Sequence, residues 1–472
     1  MKALTASRRP LAALALGAAL LSGCSMMPAY QRPAAPVPGD WAYPGAAGGT
    51  AASELPWQQF FTDERLRQLI DIALANNRDL RVAILNIEQA RAQYDIRRAD
   101  KLPTVGAAVT GSRVPNSSGG ITSTYTAGLA FTAWEIDLFG RIASLSEAAL
   151  AQYLATEEGR KAAQTSLVAT VATTWLGLVA DQELLELTRQ TLVTREESLR
   201  LARLRFDNGV TSELDFRQAQ SLAESSRVAL AQLTRQQATD LDALALLLGQ
   251  PVPPDLGGAV TTASVSLPDL PAGTPSEVLT RRPDVRQAEQ QLVAANANIG
   301  AARAAFFPRI SLTAGIGTAS NELSGLFKGG SWGWTAAPQL VQPIFDAGRN
   351  RAGLASAMAG REIAIAQYER AIQAAFREVS DALAGRATFG QQLQAQILVA
   401  QAESARYRLS KLRYDNGIAS YLDLLDSQRS LFAAQYAVVQ TRLQQLQNQV
   451  LLYRALGGGW TAPPETSSAA AR

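Results

Sequence analysis

The chain has 21 prolines, yet none lies between Asn116 and Gln250 or between Ile344 and Ala462. A proline inside a helix costs about 3 kcal/mol. These two tracts are therefore the places where long helices can form. Ala, Leu, Gln, Arg and Glu dominate both, and all are good helix formers. Leu178, Leu185, Leu192, Leu199 and Phe206 recur every seven residues, and so do Leu425, Phe432, Val439, Leu446 and Tyr453. Sustained sevens read as a coiled-coil seam in each tract.

Each tract is interrupted once, in almost the same words: LRFDNGVTSELDFRQ (204–218) and LRYDNGIASYLDLLD (412–426). Gly209 and Gly417 suit left-handed helix ends. Ser212 and Ser420 suit the N-caps of the next helices, with Asp215 and Asp423 at capping-box spacing. Each corner reads as a helix–turn–helix tip. The arms leading to the tips, 141–207 and 349–415, would each be about 100 Å long at 1.5 Å per residue. In the twenty residues from Leu201 and from Leu409, ten are identical. Gly140-Arg141 matches Gly348-Arg349, and ARAQYDIRRADKLP (90–103) matches ANANIGAARAAFFP (295–308). The chain is a tandem duplication.

Between the helical stretches the period changes to two. Tyr125, Ala127, Leu129, Phe131 and Ala133 alternate with small and hydroxylated residues, as do Ile310, Leu312, Ala314 and Ile316. Weaker strands are expected near 104–113 and 332–342. Each is about 10 residues, the length of a tilted transmembrane strand, and Trp134, Trp332 and Trp334 suit an aromatic girdle. A soluble sandwich sheet would show the same alternation. Four strands cannot close a barrel, and an open edge is not tolerated in lipid. If the strands span a membrane, several chains must combine, and three give twelve strands and six tips.

Composition narrows the chemistry. The chain has no histidine and one cysteine, which removes the commonest general base and any intrachain disulfide. Its formal charge of +3 comes from Lys2, Arg8 and Arg9, leaving 41 basic against 41 acidic residues. That balance speaks against nucleic acid as a partner. No phosphate loop and no nucleophile–base motif is present, so an enzyme is not expected. The apolar stretch 168–180 reads as part of a seam. Residues 1–23 form a signal peptide: three cations, then a short apolar run ending in Leu21-Ser22-Gly23-Cys24. The last four residues are similar to a bacterial lipobox, with Cys24 as the lipidated residue and Ser25 fitting an outer-membrane address.

Several motifs together resemble one family. They are LSGCS (21–25), PAYQRP (28–33), TAWEIDLFGR (132–141), LPAGTPSEVLTRRPDVRQAE (270–289), AARAAFFPRISLTA (301–314), the two DNG tips and ALGGGW (455–460). They resemble the outer-membrane factors, the TolC-like export ducts, and within them the OprM/NodT-type efflux lipoproteins. The resemblance implies a mainly α chain with a transmembrane β-barrel. It implies a homotrimer with a twelve-stranded outer-membrane barrel, four strands per chain, continuous with a periplasmic α-helical tunnel. It also implies the exit duct of a tripartite pump, with a periplasmic adaptor, an inner-membrane resistance-nodulation-division transporter and outer-membrane lipid as partners. No cofactor is expected beyond the N-acyl and diacylglycerol lipid on Cys24. A periplasmic coiled-coil scaffold lipoprotein without channel activity is the alternative.

By that resemblance the periplasmic aperture maps to Asp423, Asp426, Leu422, Tyr414 and Asp215. The family's best-studied member has an arginine where this chain has Ala419. Asp426 lies beyond the first helical turn, so capping explains it poorly, and its equivalent in the first copy is Gln218. The tips Asn208, Gly209, Val210, Asn416, Gly417 and Ile418 are the expected adaptor contacts. The expected layout is a lipidated extended segment 24–61 and repeat 1 at 62–250 (helix, hairpin about 104–135, helices 141–207 and 212–249). A linker 251–275 leads to repeat 2 at 276–457 (helix, hairpin about 309–342, helices 349–415 and 420–457), followed by a flexible tail 458–472.

Overall fold

The computed structural model describes residues 25–460 apart from 47, 116, 118 and 255–259. The signal segment, Cys24 and residues 461–472 lie outside the described residues. In chain order the elements are α1 (Trp57–Phe60), α2 (Glu64–Asn76), α3 (Arg78–Ala99), β1 (Gly106–Pro115), β2 (Ile121–Ile136), α4 (Arg141–Asp207) and α5 (Glu213–Leu248). They continue with α6 (Pro275–Arg281), α7 (Pro283–Ala304), β3 (Arg309–Ser320), β4 (Trp332–Val341), α8 (Arg349–Asp415) and α9 (Tyr421–Ala455). Each proline-free tract holds one 67-residue helix, α4 or α8, and the shorter helix after it. The opening helix of each repeat is broken in two, where one was expected. In repeat 1 the Asn77 side chain caps α3, accepting from Leu80 N at 2.9 Å. In repeat 2 Pro283, which has no N–H to give, starts α7.

The chain divides into two units. The first contains Met1–Ala34, Leu85–Glu157 and Gln287–Arg370. It carries one antiparallel sheet in the order β1-β2-β3-β4. The two hairpins are the two repeats, and β2 pairs with β3 to join them, from Tyr125↔Ser320 to Ile136↔Ile310. Gly128 faces Gly317 in that ladder. A Cβ on either would come within 2.3 Å of a carbonyl oxygen of the other strand, so only glycine permits this approach. The alternation read through Ala133 fails after Phe131. A bulge interrupts the register between Phe131 and Trp134, Ala133 takes φ 54°, and its N–H donates to Thr313 Oγ1 at 3.0 Å. A bulge residue has no partner across the ladder and turns the strand by one step. The three indoles fall at opposite ends of the sheet. Trp332 and Trp334 stand exposed beside the loops, while Trp134 donates to Lys101 O at the helical end. β1 and β4 are exposed along their whole lengths.

The PAYQRP segment is a strap on α7. Tyr30 Oη and Arg32 Nε both donate to Glu289 Oε1, at 3.1 and 2.6 Å, and Arg32 Nη2 donates to Oε2 at 2.9 Å. Further along α7, Asn296 donates to Pro28 O and Arg303 to Met26 O. The strap thus runs antiparallel to α7, and its beginning lies at the end of the helix that leads into β3.

The second unit contains Ala35–Ile84, Glu158–Arg286 and Ala371–Arg472. Its core gathers Phe60, Leu69, Val171, Trp175, Leu176, Val379 and Val450. Phe60 stacks on Tyr453 at 4.0 Å, and Tyr453 Oη donates to Leu55 O. α4 is apolar and long enough to cross a membrane by composition. Its residues from Leu167 to Val179 instead face this core, which is the seam reading. The first seam fades towards its tip, where Phe206 is exposed. The second stays buried at Leu425, Val439, Leu446 and Tyr453.

Candidate functional site: the helical tips

In the second unit each long helix ends in a tip. At the first, Gly209 (φ 71°) turns the chain, and at the second Gly417 (φ 70°) does so. Both angles are strained for a residue with a Cβ. Ser212 and Ser420 then cap α5 and α9, accepting from Asp215 N and Asp423 N. At Ser420 the box is reciprocal: Asp423 Oδ2 accepts from Ser420 N and Oγ. At Ser212 it is not. Asp215 Oδ2 accepts from the hydroxyls of Thr211 and Ser212. Asn208 and Asn416 each donate back to a carbonyl one turn earlier. Val210, Ile418 and Leu422 project, 74%, 68% and 51% exposed.

Asp426 is an ion-pair residue. Its Oδ2 accepts from Arg406 Nη2 at 2.6 Å and its Oδ1 from Arg429 Nη2 at 3.1 Å. The bond from Arg406 holds its carboxyl below the usual range. Tyr414 Oη is bonded by Arg205 Nη1, which comes from the first tip. Its ring lies 5.3 Å from that of Tyr421. Burial, and then the neighbouring Tyr414 and Asp215, push the Tyr421 hydroxyl up to about 12. The structure therefore brings Tyr414, Tyr421 and Asp215 together. It leaves Asp426 with arginines of its own hairpin.

Sequence reading missed Arg205, Arg406 and Arg429. It also missed Arg195, which is only 5% exposed. Arg195 donates to Ser226 Oγ at 2.9 Å and lies over the Phe432 ring. Among the described residues it has no carboxylate partner, and burial followed by the nearby Arg429 lowers its pKa. The repeat held one signal for Arg205: Arg205-Phe206 in one copy faces Arg413-Tyr414 in the other.

These contacts form a seam between the α4/α5 hairpin and the α8/α9 hairpin. Its links are Arg205 to Tyr414, Tyr421 Oη to Ser198 O at 3.5 Å, and Arg195 over Phe432. Among the described residues, every ion pair near the tips stays within one hairpin, as in Arg227–Glu196, Arg217–Glu213, Arg406–Asp426 and Lys411–Asp415. A groove of about 310 Å³ opens along the seam, lined by Leu201, Arg205, Thr211, Tyr407, Tyr414 and Tyr421 among others. Among the described residues no ion pair ties the two hairpins together here, although Lys411 also feels the charge of Glu197 across the seam.

Higher in the first hairpin, Asp181 of α4 is 8% exposed and bonds the carboxylate of Asp240 on α5. Asp240 Oδ1 also accepts from Gln236. Burial, then the bond and charge of Asp240, raise the Asp181 pKa to about 7.

The sequence matches the family described as outer membrane efflux protein over residues 69–250 and 274–458, one match per repeat. It is 49% identical to the probable efflux pump outer membrane protein TtgC of Pseudomonas putida, over 96% of each chain. It is 47% identical to the outer membrane protein OprJ of Pseudomonas aeruginosa, over 95% of each. The fold is similar to the open state of the MtrE outer membrane channel of Neisseria gonorrhoeae, with a TM-score of 0.86 and 42% identity, covering 93% of this chain and 99% of that one. By sequence in both repeats and by fold over nearly its whole length, the chain belongs to the outer membrane efflux protein family.

Proposed function

We propose that the chain works as a homotrimer, the outer-membrane exit duct of a tripartite efflux pump of the resistance-nodulation-division type. Cargo moves through it passively. The observation that carries this reading is the four-stranded sheet, which leaves both edge strands open and exposed. In lipid an open edge costs several kcal/mol per unpaired group, and closure removes it. Relatives are named for antibiotic, toluene and solvent efflux, which favours small organic molecules as cargo. The test is twofold: the detergent-corrected mass of the solubilised protein, and single-channel conductance in planar bilayers. A trimer that conducts is expected. A conducting monomer, or a trimer without conductance, as a periplasmic scaffold would give, overturns the reading.

In this reading Asp423, Asp426, Leu422, Tyr414 and Asp215 line the periplasmic aperture, and the acids of three chains meet there. Like charges at a constriction stay together only if bonded or protonated, and Asp423 and Asp426 are both bonded within their own hairpin. Asn208, Gly209, Val210, Asn416, Gly417 and Ile418 meet the adaptor, a role supported by the exposure of Val210 and Ile418. Cys24 carries the lipid. The strap supports this, because it brings Ser25 to the end of α7 that leads into the sheet. Mass spectrometry of the mature N-terminus is the check, and an unmodified terminus sinks the assignment.

A further inference from the structure

Arg195 of α4 is buried, and half of its guanidinium is without a partner. Its Nη1 donates to Ser226 Oγ at 2.9 Å and to Leu222 O at 3.3 Å. The Phe432 ring covers one face. Its Nε is buried with nothing to bond, and among the described residues nothing accepts from Nη2. Nε and Nη2 form one edge of the guanidinium, and elsewhere the chain uses that edge in one way. Arg32 on Glu289, Arg141 on Glu135, Arg282 on Asp284 and Arg386 on Asp269 each donate Nε and Nη2 to the two oxygens of one carboxylate. A buried cation left without an anion is destabilising. Arg195 thus presents the edge that holds two-oxygen anions and has no such anion from its own chain.

Acids of the same stretch are engaged elsewhere. Glu196 bonds Arg227, Glu403 bonds Arg406, and Asp426 bonds both Arg406 and Arg429. Arg195 also lines a pocket of about 190 Å³ together with Thr191 of the same helix, Tyr407 of α8, and Gln428, Phe432 and Gln435 of α9, among others. None of its lining residues is acidic. Gln428 Oε1 is also buried without a partner, while its Nε2 lies 3.4 Å from Tyr407 Oη. The two ends of an amide exchange by rotation about one bond. With the amide oxygen accepting from the Tyr407 hydroxyl, the nitrogen becomes a second free donor. In the second copy Glu403 stands at the position of Arg195 and Ala434 at that of Ser226. The arrangement therefore belongs to the first repeat alone.

We propose that this pocket binds a small free oxyanion of the phosphate or sulfate type, held side-on by Nε and Nη2 of Arg195 and by the amide of Gln428. The edge of a guanidinium gives two parallel bonds to two oxygens of one anion, and a tetrahedral anion keeps two oxygens for the other donors. A halide has a single centre and cannot use the fork in this way. The ion supplies the counter-charge that Arg195 lacks. Because the pocket is lined from both hairpins, its occupant touches both where no ion pair joins them.

The test uses the full-length, detergent-solubilised protein. Crystals soaked in selenate, a tetrahedral stand-in that scatters anomalously, should show a peak in this pocket within hydrogen-bond distance of Arg195 Nε and Nη2. In solution, inorganic phosphate should raise the melting midpoint saturably, where chloride at the same ionic strength does not. Arg195→Met should lose the saturable shift. Arg195→Lys, which keeps the charge and lacks the fork, should raise the half-saturating concentration roughly tenfold. Arg227→Met, which removes an exposed arginine paired with Glu196, should leave it unchanged. A pocket without selenate in the parent overturns the site whether or not the variants fold, and so does a pocket filled by water. An equal shift in the parent and in Arg195→Met places the anion elsewhere and overturns it too. A peak without a saturable shift is an adventitious ion only, and again overturns the site.

Discussion

At the end of α4, Gly209 turns the chain and Ser212 caps α5; at the end of α8, Gly417 turns it by the same angle and Ser420 caps α9. The backbones agree, but the side chains around them do not. In the first tip Phe206 stacks on Phe216 at 5.6 Å, and Asp215 is held by two hydroxyls next to it. In the second, Tyr414 takes the place of Phe206 and accepts from Arg205, and Asp426 takes the place of Gln218 and holds two arginines. One corner geometry thus serves two purposes. The first tip is held by apolar stacking and sends one donor, Arg205, to the other hairpin. The second is built of polar links that reach along and across hairpins, and such links can be exchanged one for another.

The largest test of this contrast removes the acids. Asp423→Ala with Asp426→Ala frees Arg406 and Arg429, and the expected result is higher conductance and entry of large antibiotics. Asp215→Ala with Gln218→Ala, the same change in the first copy, should move conductance much less. Equal effects would dissolve the distinction between the tips.

The next effect is one of pH, and it belongs to the first hairpin alone. Asp181 and Asp240 correspond to Phe389 and Asn448 in the second copy, where Asn448 donates to Ala382 O. Because the Asp181 pKa is raised to about 7 in the folded chain, the folded state holds a proton that the unfolded state releases. The associated stability is fully present below the ordinary carboxyl pKa. It is lost as pH rises to about 7. The melting temperature should therefore fall between about pH 4 and pH 7. Asp240→Asn, which copies the second hairpin at that position, should make the slope shallower by the share that Asp240 contributes, and Asp181→Asn should abolish it. A slope that survives Asp181→Asn would place the titrating group elsewhere.

Smaller still is Tyr414→Phe. It deletes the hydroxyl that Arg205 bonds across the seam, at a cost of about 1 kcal/mol, and should raise conductance in the same direction as loss of the acids. Phe206→Tyr, which adds a hydroxyl to the first tip, should leave conductance unchanged. The smallest difference concerns the caps. Ser212→Ala and Ser420→Ala should each cost about 1 kcal/mol. Ser420→Ala should be the worse by a few tenths, because only there does the aspartate also bind the cap residue's backbone. Urea unfolding midpoints would rank them.

Much of this architecture was legible beforehand because it rests on local rules. Missing prolines marked α4, α5, α8 and α9, glycine and serine marked the corners, and period-two stretches marked the strands. Asp423 was readable as a cap because its partner is three residues away. Arg205, Arg406 and Arg195 were not readable, because their partners lie on other helices and no spacing rule connects them. The bulge at Ala133 was hidden for a similar reason. Alternation in one strand says nothing about a residue that its neighbour fails to match. Asp181 looked like any polar residue on a helix until α5 placed a second carboxylate against it.

The strap on α7 has a consequence for the order of assembly. Its bonds to Glu289, Asn296 and Arg303 span 257 to 277 residues of sequence. Contacts so far apart pay their loop-closure entropy before they return anything, and they form slowly. A chain emerging from its N-terminus has the strap in hand while the helix it needs is still unmade. Residues 25–32 must wait until repeat 2 has begun to fold. Docking of the strap is then a late step, and a marker for it: protease resistance at Arg32 should appear after the first hairpin is protected, not with it.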